Sequence, residues 1–249
     1  NDIAIICNDK TAKELNPQCK IIKVRNVQLS VAALSNIFYR NYFNDELDIF
    51  NEPKIGKNCS ISSSSTLNKG VVLGDNVTVN DGVIINSNCI IGNNSYIDSN
   101  SVISNCLIGE NVSIGRNTSI GQQGFGFSIL NKKNIKIFHI GRVILQENVS
   151  IGSNCTIDRG SFSDTKVGEN TFFDNLCHVA HNVVVGANCV FAAMTGIAGS
   201  ARIGNNVLAG GQVGIGGHIQ VGNYVRIAAK SAVFESIKDN QEVMGNPAI

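Results

Sequence analysis

Apolar and polar positions follow a period of six residues along most of the chain. From Ile55 to Val233 an aliphatic residue opens each unit and a Gly or small polar residue usually follows, as in Leu73-Gly74-Asp75-Asn76-Val77-Thr78. Repetition at a fixed short period is typical of a solenoid. Six residues provide one short strand and one turn, so three units close a triangular coil of about 18 residues, and coils stack at roughly 4.8 Å. The pattern therefore predicts a mainly β protein folded as a left-handed parallel β-helix.

The constant phase separates this fold from a β-sandwich. A sandwich with frequent Gly and Asn turns would place its strands about 8–12 residues apart, without a constant phase. In the β-helix, the aliphatic residue and the small residue four positions later, such as Ile151 and Cys155, are expected to point inward. A Gly or Asn after the aliphatic residue is expected to supply the positive φ of each corner.

Three irregularities interrupt the phase. It loses one residue before Ile108, stops after Ile120 until Leu145, and gains four residues at 163–166. We expect the insertion at 121–142 to extend away from the prism and to form one wall of the site of a neighbouring subunit. The regular units amount to about nine coils, a prism roughly 45 Å long by the strand spacing.

A different pattern occupies residues 1–50. Residues 3–7 and 20–24 have the apolar character of strands, and residues 11–15 that of a short helix. A second helix, ending near Phe38, is predicted from an apolar stripe formed by Leu29, Ala33 and Ile37. The chain is therefore divided into a partial, small α/β domain at 1–50 and a β-helix domain at 51–249, which carries the insertion loop 121–142.

An aromatic and polar cluster lies before the β-helix begins. It contains Tyr39, Tyr42 and Phe43 together with Asn41 and Asn44. We interpret it as an interdomain packing patch, with ring stacking on a nucleobase as the alternative.

Composition and charge restrict the class of function. With 43% hydrophobic residues, 16% charged residues and a net charge of +1, the chain has no charge excess that would indicate nucleic acid binding. No membrane span or signal peptide is found in the sequence, and a cytoplasmic location is expected. Five of the eight Cys share the inward phase, which predicts buried thiols in a reducing compartment: Cys59, Cys89, Cys155, Cys177 and Cys189.

Histidines that break the repeat are the first candidates for chemistry. His181 occupies a corner position that other units give to Gly, Asn, Asp or Ser, and Gly199 follows by 18 residues, one full coil. A backbone N–H beside an imidazole can serve as the donor of an oxyanion hole. His218 comes 37 residues after His181, so that one groove can hold both. His139 and His178 are interpreted as solvated or structural.

An imidazole that removes a proton near neutral pH needs a neighbour that fixes its tautomer. Asp174 is the candidate for this role, and an ordinary turn-capping Asp is the alternative. No Ser or Cys nucleophile motif is found, which favours direct transfer over a covalent enzyme intermediate. Metal-assisted chemistry needs a close His pair with a third ligand nearby, and the His spacing does not provide one, so no metal site is predicted.

Seven short motifs stand out from the hexapeptide pattern. They are Gly124-Phe125-Gly126-Phe127, Ile140-Gly141-Arg142-Val143, Thr156-Ile157-Asp158-Arg159-Gly160, Asp174-Asn175-Leu176, Ala180-His181-Asn182-Val183, Gly196-Ile197-Ala198-Gly199-Ser200 and Gly216-Gly217-His218. In this order, and over nearly the whole chain, they resemble the UDP-3-O-acylglucosamine N-acyltransferase family of lipid A biosynthesis. Hexapeptides alone would indicate only the wider acyltransferase superfamily.

The resemblance implies transfer of a 3-hydroxyacyl group from acyl carrier protein to the 2-amine of UDP-3-O-acylglucosamine. On the matching positions, His181 would be the general base and the N–H of Gly199 would meet the developing oxyanion. Asp174 would orient His181, and His218 would support binding or catalysis.

The resemblance also implies binding residues and partners. Phe125, Phe127 and Asn175 would contact substrate, and Asn26 is the one position kept from a uridine-binding stretch whose Pro and aromatic ring are missing here. The family is homotrimeric with active sites between subunits, and it needs no cofactor besides the phosphopantetheine-linked acyl donor. The alternatives are a non-catalytic β-helix scaffold and the sibling O-acyltransferase that acts on UDP-N-acetylglucosamine.

Overall fold

A computed structural model of the chain describes residues 4–16, 18–39, 51–87 and 89–249. These residues divide into two compact units. The first unit contains the N-terminal residues up to 45 together with Gly126–His139, and the second contains the rest of the chain. Of the aromatic cluster predicted at 39–44, all but Tyr39 lies outside the described residues.

The second unit is a parallel β-helix with three faces, and each face is a sheet whose successive strands come from successive coils. Face 1 contains the strands Lys54–Ile55, Val72–Leu73, Ile90–Ile91, Cys106–Ile108, Val143–Leu145, Thr165–Val167, Val184–Val185, Arg202–Ile203 and Gln220–Val221. Face 2 contains Ser60–Ile61, Thr78–Val79, Tyr96–Ile97, Ser113–Ile114, Ser150–Ile151, Phe172–Phe173, Val190–Phe191, Leu208–Ala209, Arg226–Ile227 and Glu242–Val243. Face 3 contains Thr66–Leu67, Ile84–Ile85, Val102–Ile103, Ser119–Gln122, Thr156–Asp158, His178–Val179, Gly196–Ile197, Gly214–Ile215 and Ala232–Val233. The predicted fold class is confirmed.

The core of the β-helix consists of the inward positions that the period predicts. The first residue of a regular unit, such as Ile97, is fully buried, and so is the small residue four positions later, such as Cys89 or Val207. The first coil is less buried: Ile55 is 52% exposed, and Ile61 and Leu67 are only partly buried. All eight Cys are free thiols, and of the five predicted to point inward only Cys59 is not fully buried.

The corners take their positive φ from the fourth residue of a unit rather than from the second. Asn58, Asn76 and Asn206 have φ values of 55°, 58° and 58°. At two corners the fourth residue is a Gly with positive φ, Gly70 at 77° and Gly82 at 66°. The Gly at the second position of a regular unit, such as Gly168, is not among the residues with positive φ, so the prediction for Gly holds at the fourth position and was wrong at the second. This Gly is required because successive coils approach closely: a Cβ atom on residue 168 would lie 2.5 Å from the carbonyl oxygen of Gly186.

The first unit has two parallel strands and two helices. The strands Ala4–Cys7 and Lys20–Lys23 pair in register. Helix α1 spans Asp9–Glu14 and helix α2 spans Val27–Phe38, each starting after an Asn whose side chain accepts a backbone N–H. Neither helix has the length and apolarity needed to cross a bilayer, and the described residues contain no other.

The buried side of α2 differs from the predicted stripe. Ala32 and Ser35 are buried, whereas Ala33 and Ile37 are exposed. The reason is a partner about 100 residues away, an antiparallel hairpin formed by Phe127–Leu130 and Lys133–Lys136. Ser35 Oγ accepts the N–H of Phe138 at 3.2 Å, and Asn36 Nδ2 donates to the carbonyl oxygen of Lys136 at 2.8 Å. The insertion is thus a hairpin packed on α2 rather than a loop of the β-helix domain.

All three irregularities of the repeat lie at one corner, where face 3 leads into face 1; we call these connecting segments the 3–1 corner. The missing residue lies between Val102–Ile103 and Cys106–Ile108, the insertion between Ser119–Gln122 and Val143–Leu145, and the four extra residues between Thr156–Asp158 and Thr165–Val167. The extra residues therefore lie at 159–164, slightly before the predicted 163–166.

We expect Gly168→Ala to destabilise the β-helix by about 1–3 kcal/mol, the usual cost of overpacking a filled site. The added Cβ would meet backbone atoms of the next coil, which cannot rotate away. The matched control is Gly196→Ala, whose Cβ would have no heavy atom within 4 Å. Thermal unfolding of both variants measures the difference, and equal midpoints would contradict the close-approach explanation.

Candidate active site

A groove of about 500 Å³ lies on face 3 and the 3–1 corner of the last coils. His178, His181 and Gly199 line it, together with Phe125 and Phe234. Of the four histidines, this groove therefore contains one that the sequence indicated, His181, and one that was interpreted as structural or solvated, His178.

The structure brings His181 and Gly199 into direct contact, because one coil separates them. A Cβ atom on residue 199 would lie 2.8 Å from both Cε1 and Nε2 of the imidazole. The ring can therefore occupy this place only beside a glycine. The N–H of Ser200 donates to the carbonyl oxygen of His181 at 2.9 Å and holds the two corners together.

Asn182 fixes the tautomer of His181. Its Nδ2 donates to Ser163 Oγ at 2.8 Å, which identifies Oδ1 as the acceptor, and Oδ1 also accepts the N–H of Ser161 at 3.0 Å. This Oδ1 lies 3.0 Å from Nδ1 of His181. A neutral imidazole therefore carries its proton on Nδ1 and its basic lone pair on Nε2, the nitrogen beside Gly199.

His218 contributes through its backbone. Its N–H donates to the carbonyl oxygen of Gly199 at 3.1 Å, and its φ is 60°. The side chain is exposed, and it is not part of the groove lining among the described residues. His218 thus holds the Gly199 peptide in place, and the structure does not bring its imidazole to that of His181.

The floor of the groove consists of two rows of small residues. One row, in register with His178, contains Gly196, Gly214 and Ala232; the other contains Ala180, Ala198 and Gly216 and is followed by Phe234. A Cβ atom on Gly196 or Gly214 would have no heavy atom within 4 Å, so the space above them is open. The rows form a straight apolar strip leading away from the histidines, which suits an extended hydrocarbon chain.

A buried carboxylate that the sequence analysis missed stands beside the histidines. Asp158 is 5% exposed, and its Oδ1 accepts a hydrogen bond from Gln122 Nε2 at 2.7 Å. Its Oδ2 lies 3.8 Å from Nε2 of His178, whose Nδ1 is 2.7 Å from Thr156 Oγ1. These contacts form a connected polar network from Gln122 through Asp158 and His178 to Thr156, and His178 is its member that lines the groove.

Burial raises the pKa of Asp158 above its ordinary value. The attraction to His178, the hydrogen bond from Gln122 and the attraction to His181 each act in the opposite direction. Burial, the largest of these effects, favours the neutral form of the Asp158 carboxyl group.

Asp174 and Asn175 lie at a different corner from His181. Within one chain, Asp174 therefore does not orient His181, contrary to the prediction. Asp174 follows face 2, one whole side of the prism from His181, and its carboxylate accepts the N–H of Asn175 at 2.7 Å. Asn175 in turn accepts the N–H of Ser153 at 2.8 Å. Both residues act as turn caps of the β-helix, the alternative that the sequence left open.

The other predicted binding residues are distributed over both units. Phe125 lines the groove and is 84% exposed. Phe127 begins a hairpin strand in the first unit. Asn26 precedes α2, and its Oδ1 accepts the N–H of Leu29 at 2.9 Å, so this atom is used in capping.

A larger cavity of about 720 Å³ lies elsewhere, between face 1 and the last coil, where Arg202, Lys238 and Asp239 line it. No histidine lines it, and the hydroxyl of its one serine, Ser236, accepts the N–H of Gln220 at 3.0 Å, so we assign the candidate chemistry to the groove. Within the described ranges, no group of three or more His, Cys, Asp or Glu is placed to hold a metal ion.

Comparison with known proteins is consistent with these motifs. The family model for bacterial transferase hexapeptide (six repeats) matches residues 164–199, and the model for the GMPPB C-terminal domain matches residues 49–159. UDP-3-O-acylglucosamine N-acyltransferase of Methylorubrum extorquens PA1 is 47% identical over 64 residues, 26% of this chain and 18% of that protein. The same enzyme of Caulobacter vibrioides NA1000 is 42% identical over 62 residues, 25% of this chain and 18% of the relative. The predicted resemblance is confirmed.

The matches with these curated relatives thus span less than a fifth of the relatives' own length. Solved structures cover more of the fold. LpxA from Acinetobacter baumannii has a TM-score of 0.57 at 25% identity, covering 78% of this chain and 72% of that one. The UDP-N-acetylglucosamine acyltransferase of Francisella novicida has a TM-score of 0.64 at 22% identity, covering 77% and 66%.

We expect Asp158→Asn to gain thermal stability relative to the unchanged protein as the pH rises from about 3 to about 7. Because the pKa of Asp158 is raised by burial, its contribution to stability is fully present below the unfolded pKa. That contribution is lost as the pH rises through the folded pKa, and Asn cannot ionise.

The control for this measurement is Asp98→Asn. The N–H of Ser99, above all, lowers the pKa of Asp98, so that carboxylate stabilises the protein above its unfolded pKa, and the variant should lose stability toward neutral pH. Unfolding midpoints measured across the acidic range should show opposite trends for the two variants, and parallel trends would contradict the burial argument.

Proposed function

We propose that this chain transfers a 3-hydroxyacyl group from acyl carrier protein to the 2-amine of UDP-3-O-acylglucosamine, as part of lipid A biosynthesis. The observation that carries the proposal is the contact between the His181 imidazole and Gly199 at the start of an apolar strip. The relatives named UDP-3-O-acylglucosamine N-acyltransferase support the choice of substrate class.

The reaction begins with proton removal from the acceptor. As the amine nitrogen attacks the thioester carbonyl carbon, Nε2 of His181 takes one amine proton, because Asn182 holds the other ring proton on Nδ1. When the C–S bond breaks, the proton passes from His181 to the departing thiolate, so no group on the protein is acylated.

The carbonyl oxygen gains negative charge during the attack. The N–H of Gly199 would donate to this oxygen, and the hydrogen bond from His218 to the Gly199 carbonyl keeps the peptide in position. The apolar strip from Gly196 to Ala232 would then hold the hydrocarbon part of the acyl group.

We further propose that the protein works as a cytoplasmic homotrimer and needs no cofactor besides the carrier-bound acyl group. Face 2 supports subunit contact, because Phe172, Val190 and Leu208 stand in one outward row and are each more than 40% exposed. Apolar rows of this kind are typical of surfaces that are covered in an assembly.

A second candidate function is O-acylation of UDP-N-acetylglucosamine. It is favoured by the similarity in fold to LpxA from Acinetobacter baumannii. The two candidates differ in the attacked atom, an amine nitrogen or a sugar hydroxyl, so a product assay with both nucleotide sugars distinguishes them. A scaffold without catalysis would give no product with either acceptor.

We expect the protein to acylate UDP-3-O-acylglucosamine, and His181→Ala to lower turnover at least about a hundredfold, since general-base assistance is typically worth 10²–10⁴. The ring lies in the groove and not in the core, so the unfolding midpoint should change little. His218→Ala serves as the comparison and should lose less, because its contribution to the Gly199 peptide is a backbone one. Mass analysis of product with a set of acyl carrier proteins and both acceptors is the measurement. Retention of more than about a tenth of turnover by His181→Ala would contradict the assigned role.

We expect Gly214→Leu to discriminate between donors of different length. A Leu side chain would fill the open space above the strip, so kcat/KM should fall more for a long acyl donor than for a short one. Val184→Leu on face 1, outside the groove, is the matched control and should leave the ratio unchanged. A uniform loss across chain lengths would indicate that the strip does not hold the acyl group.

A further inference from the structure

Several backbone amides at the two other corners of the β-helix, away from the 3–1 corner, are capped in the same manner. The N–H of the third residue of a unit donates to an Asn or Asp side chain at the third position of the next coil. Six such bonds, at 2.7–2.9 Å, join Lys57 to Asp75, Asp75 to Asn93, Ser153 to Asn175, Ala187 to Asn205, Asn205 to Asn223 and Asn223 to Asp239. The third-position amide therefore points along the prism axis toward the next coil.

Gly199 is the third residue of its unit, at the 3–1 corner, and it lacks this cap, as does Ala193 below Gly211. The residue above Gly199, at the third position of the next coil, is Gly217, which has no side chain to accept the bond. Within the described part of the chain, the N–H of Gly199 donates no hydrogen bond. The space that an Asn side chain would fill is thus left above this amide, at the edge of the groove.

We propose that Gly217 is a positioning residue that keeps the Gly199 amide uncapped, so that a substrate carbonyl oxygen takes the place of the missing side chain. The inference rests on the proposed acyl transfer and adds a residue to it. Gly217 touches no reacting atom in this arrangement and acts only through Gly199.

Neither a positive φ nor a lack of space for a side chain explains why residue 217 is a glycine. Gly217 is not among the glycines with positive φ. A Cβ atom on it would lie 3.0 Å from the carbonyl oxygen of Gly199, a tight contact that a shift of a few tenths of an ångström relieves. By contrast, a Cβ on Gly168 would meet three backbone atoms within 2.6 Å. A side chain at residue 217 is therefore compatible with the fold.

The test is Gly217→Asn, which places at this corner the residue that caps amides at the others. We expect hydrogen exchange of the Gly199 amide to slow by about two- to tenfold, the effect of one added hydrogen bond. Turnover should fall by about a hundredfold, the typical cost of losing one oxyanion donor, with little change in KM. The unfolding midpoint should stay the same or rise.

Two further variants distinguish the effect of the added hydrogen bond from the effect of the added side-chain volume. Gly217→Ala adds the Cβ without an acceptor, so its turnover should fall far less than that of Gly217→Asn. Gly211→Asn makes the same substitution in the same coil, at the third position above Ala193 and outside the groove lining. It should slow exchange of the Ala193 amide and leave turnover unchanged.

Exchange and turnover together decide the proposal. If Gly217→Asn protects the Gly199 amide and the enzyme keeps more than about a tenth of its turnover, less loss than an oxyanion donor should cost, the amide is not used in the reaction and the proposal fails. If exchange at Gly199 is unchanged, the capping geometry is wrong. Equal losses of turnover in the Ala and Asn variants would identify the added side-chain volume as the cause, and this result would also overturn the proposal. If the unchanged protein transfers no acyl group to either acceptor, the proposed function fails, while the exchange result still tests the cap.

Discussion

Hydrogen bonds between neighbouring parallel strands hold successive coils about 4.8 Å apart, and most features of the molecule depend on this short distance. Each residue meets the residue at the same position of the next coil, so identical positions must be compatible with one another. Asn58 and Asn76 satisfy this requirement by a hydrogen bond between their amides. Gly168 satisfies it by having no side chain, and His181 lies over Gly199 for the same reason.

The regular part of the fold could be predicted because every unit repeats the same information. The unit phase identified the inward positions and the three irregularities, and the structure differs only in placing the four extra residues slightly before the predicted 163–166. The role of Gly at the second position was misjudged, since a single unit does not reveal that its neighbour's carbonyl oxygen lies 2.5 Å from a Cβ on Gly168. The buried side of α2 was also missed, because its partner hairpin is separated from it by about 100 residues and follows no period.

In the candidate site, residues one coil apart were found from the sequence, and residues joined across an irregularity were not. His181 and Gly199 are 18 residues apart, which the period translates directly into contact. Asp158 and its partner Gln122 are 36 residues apart with the hairpin insertion between them, so the period gives no spacing for them. The motif Thr156-Ile157-Asp158-Arg159-Gly160 was the available signal. Asp174 was chosen instead because it lies at the coil edge before His181, but the step of seven residues between them leads to the next corner.

The confinement of every irregularity to the 3–1 corner means that the two remaining corners are unbroken edges along the described coils. The number of residues per coil can vary at this one corner without changing the strand register of the three faces. Each added segment leaves the β-helix after face 3 and returns at the start of face 1. The hairpin shows that such a segment can be long enough to join another folded unit. In engineering terms, the β-helix has a constant coil spacing and a single corner for insertions, where unrelated peptides can be displayed without redesigning the interior.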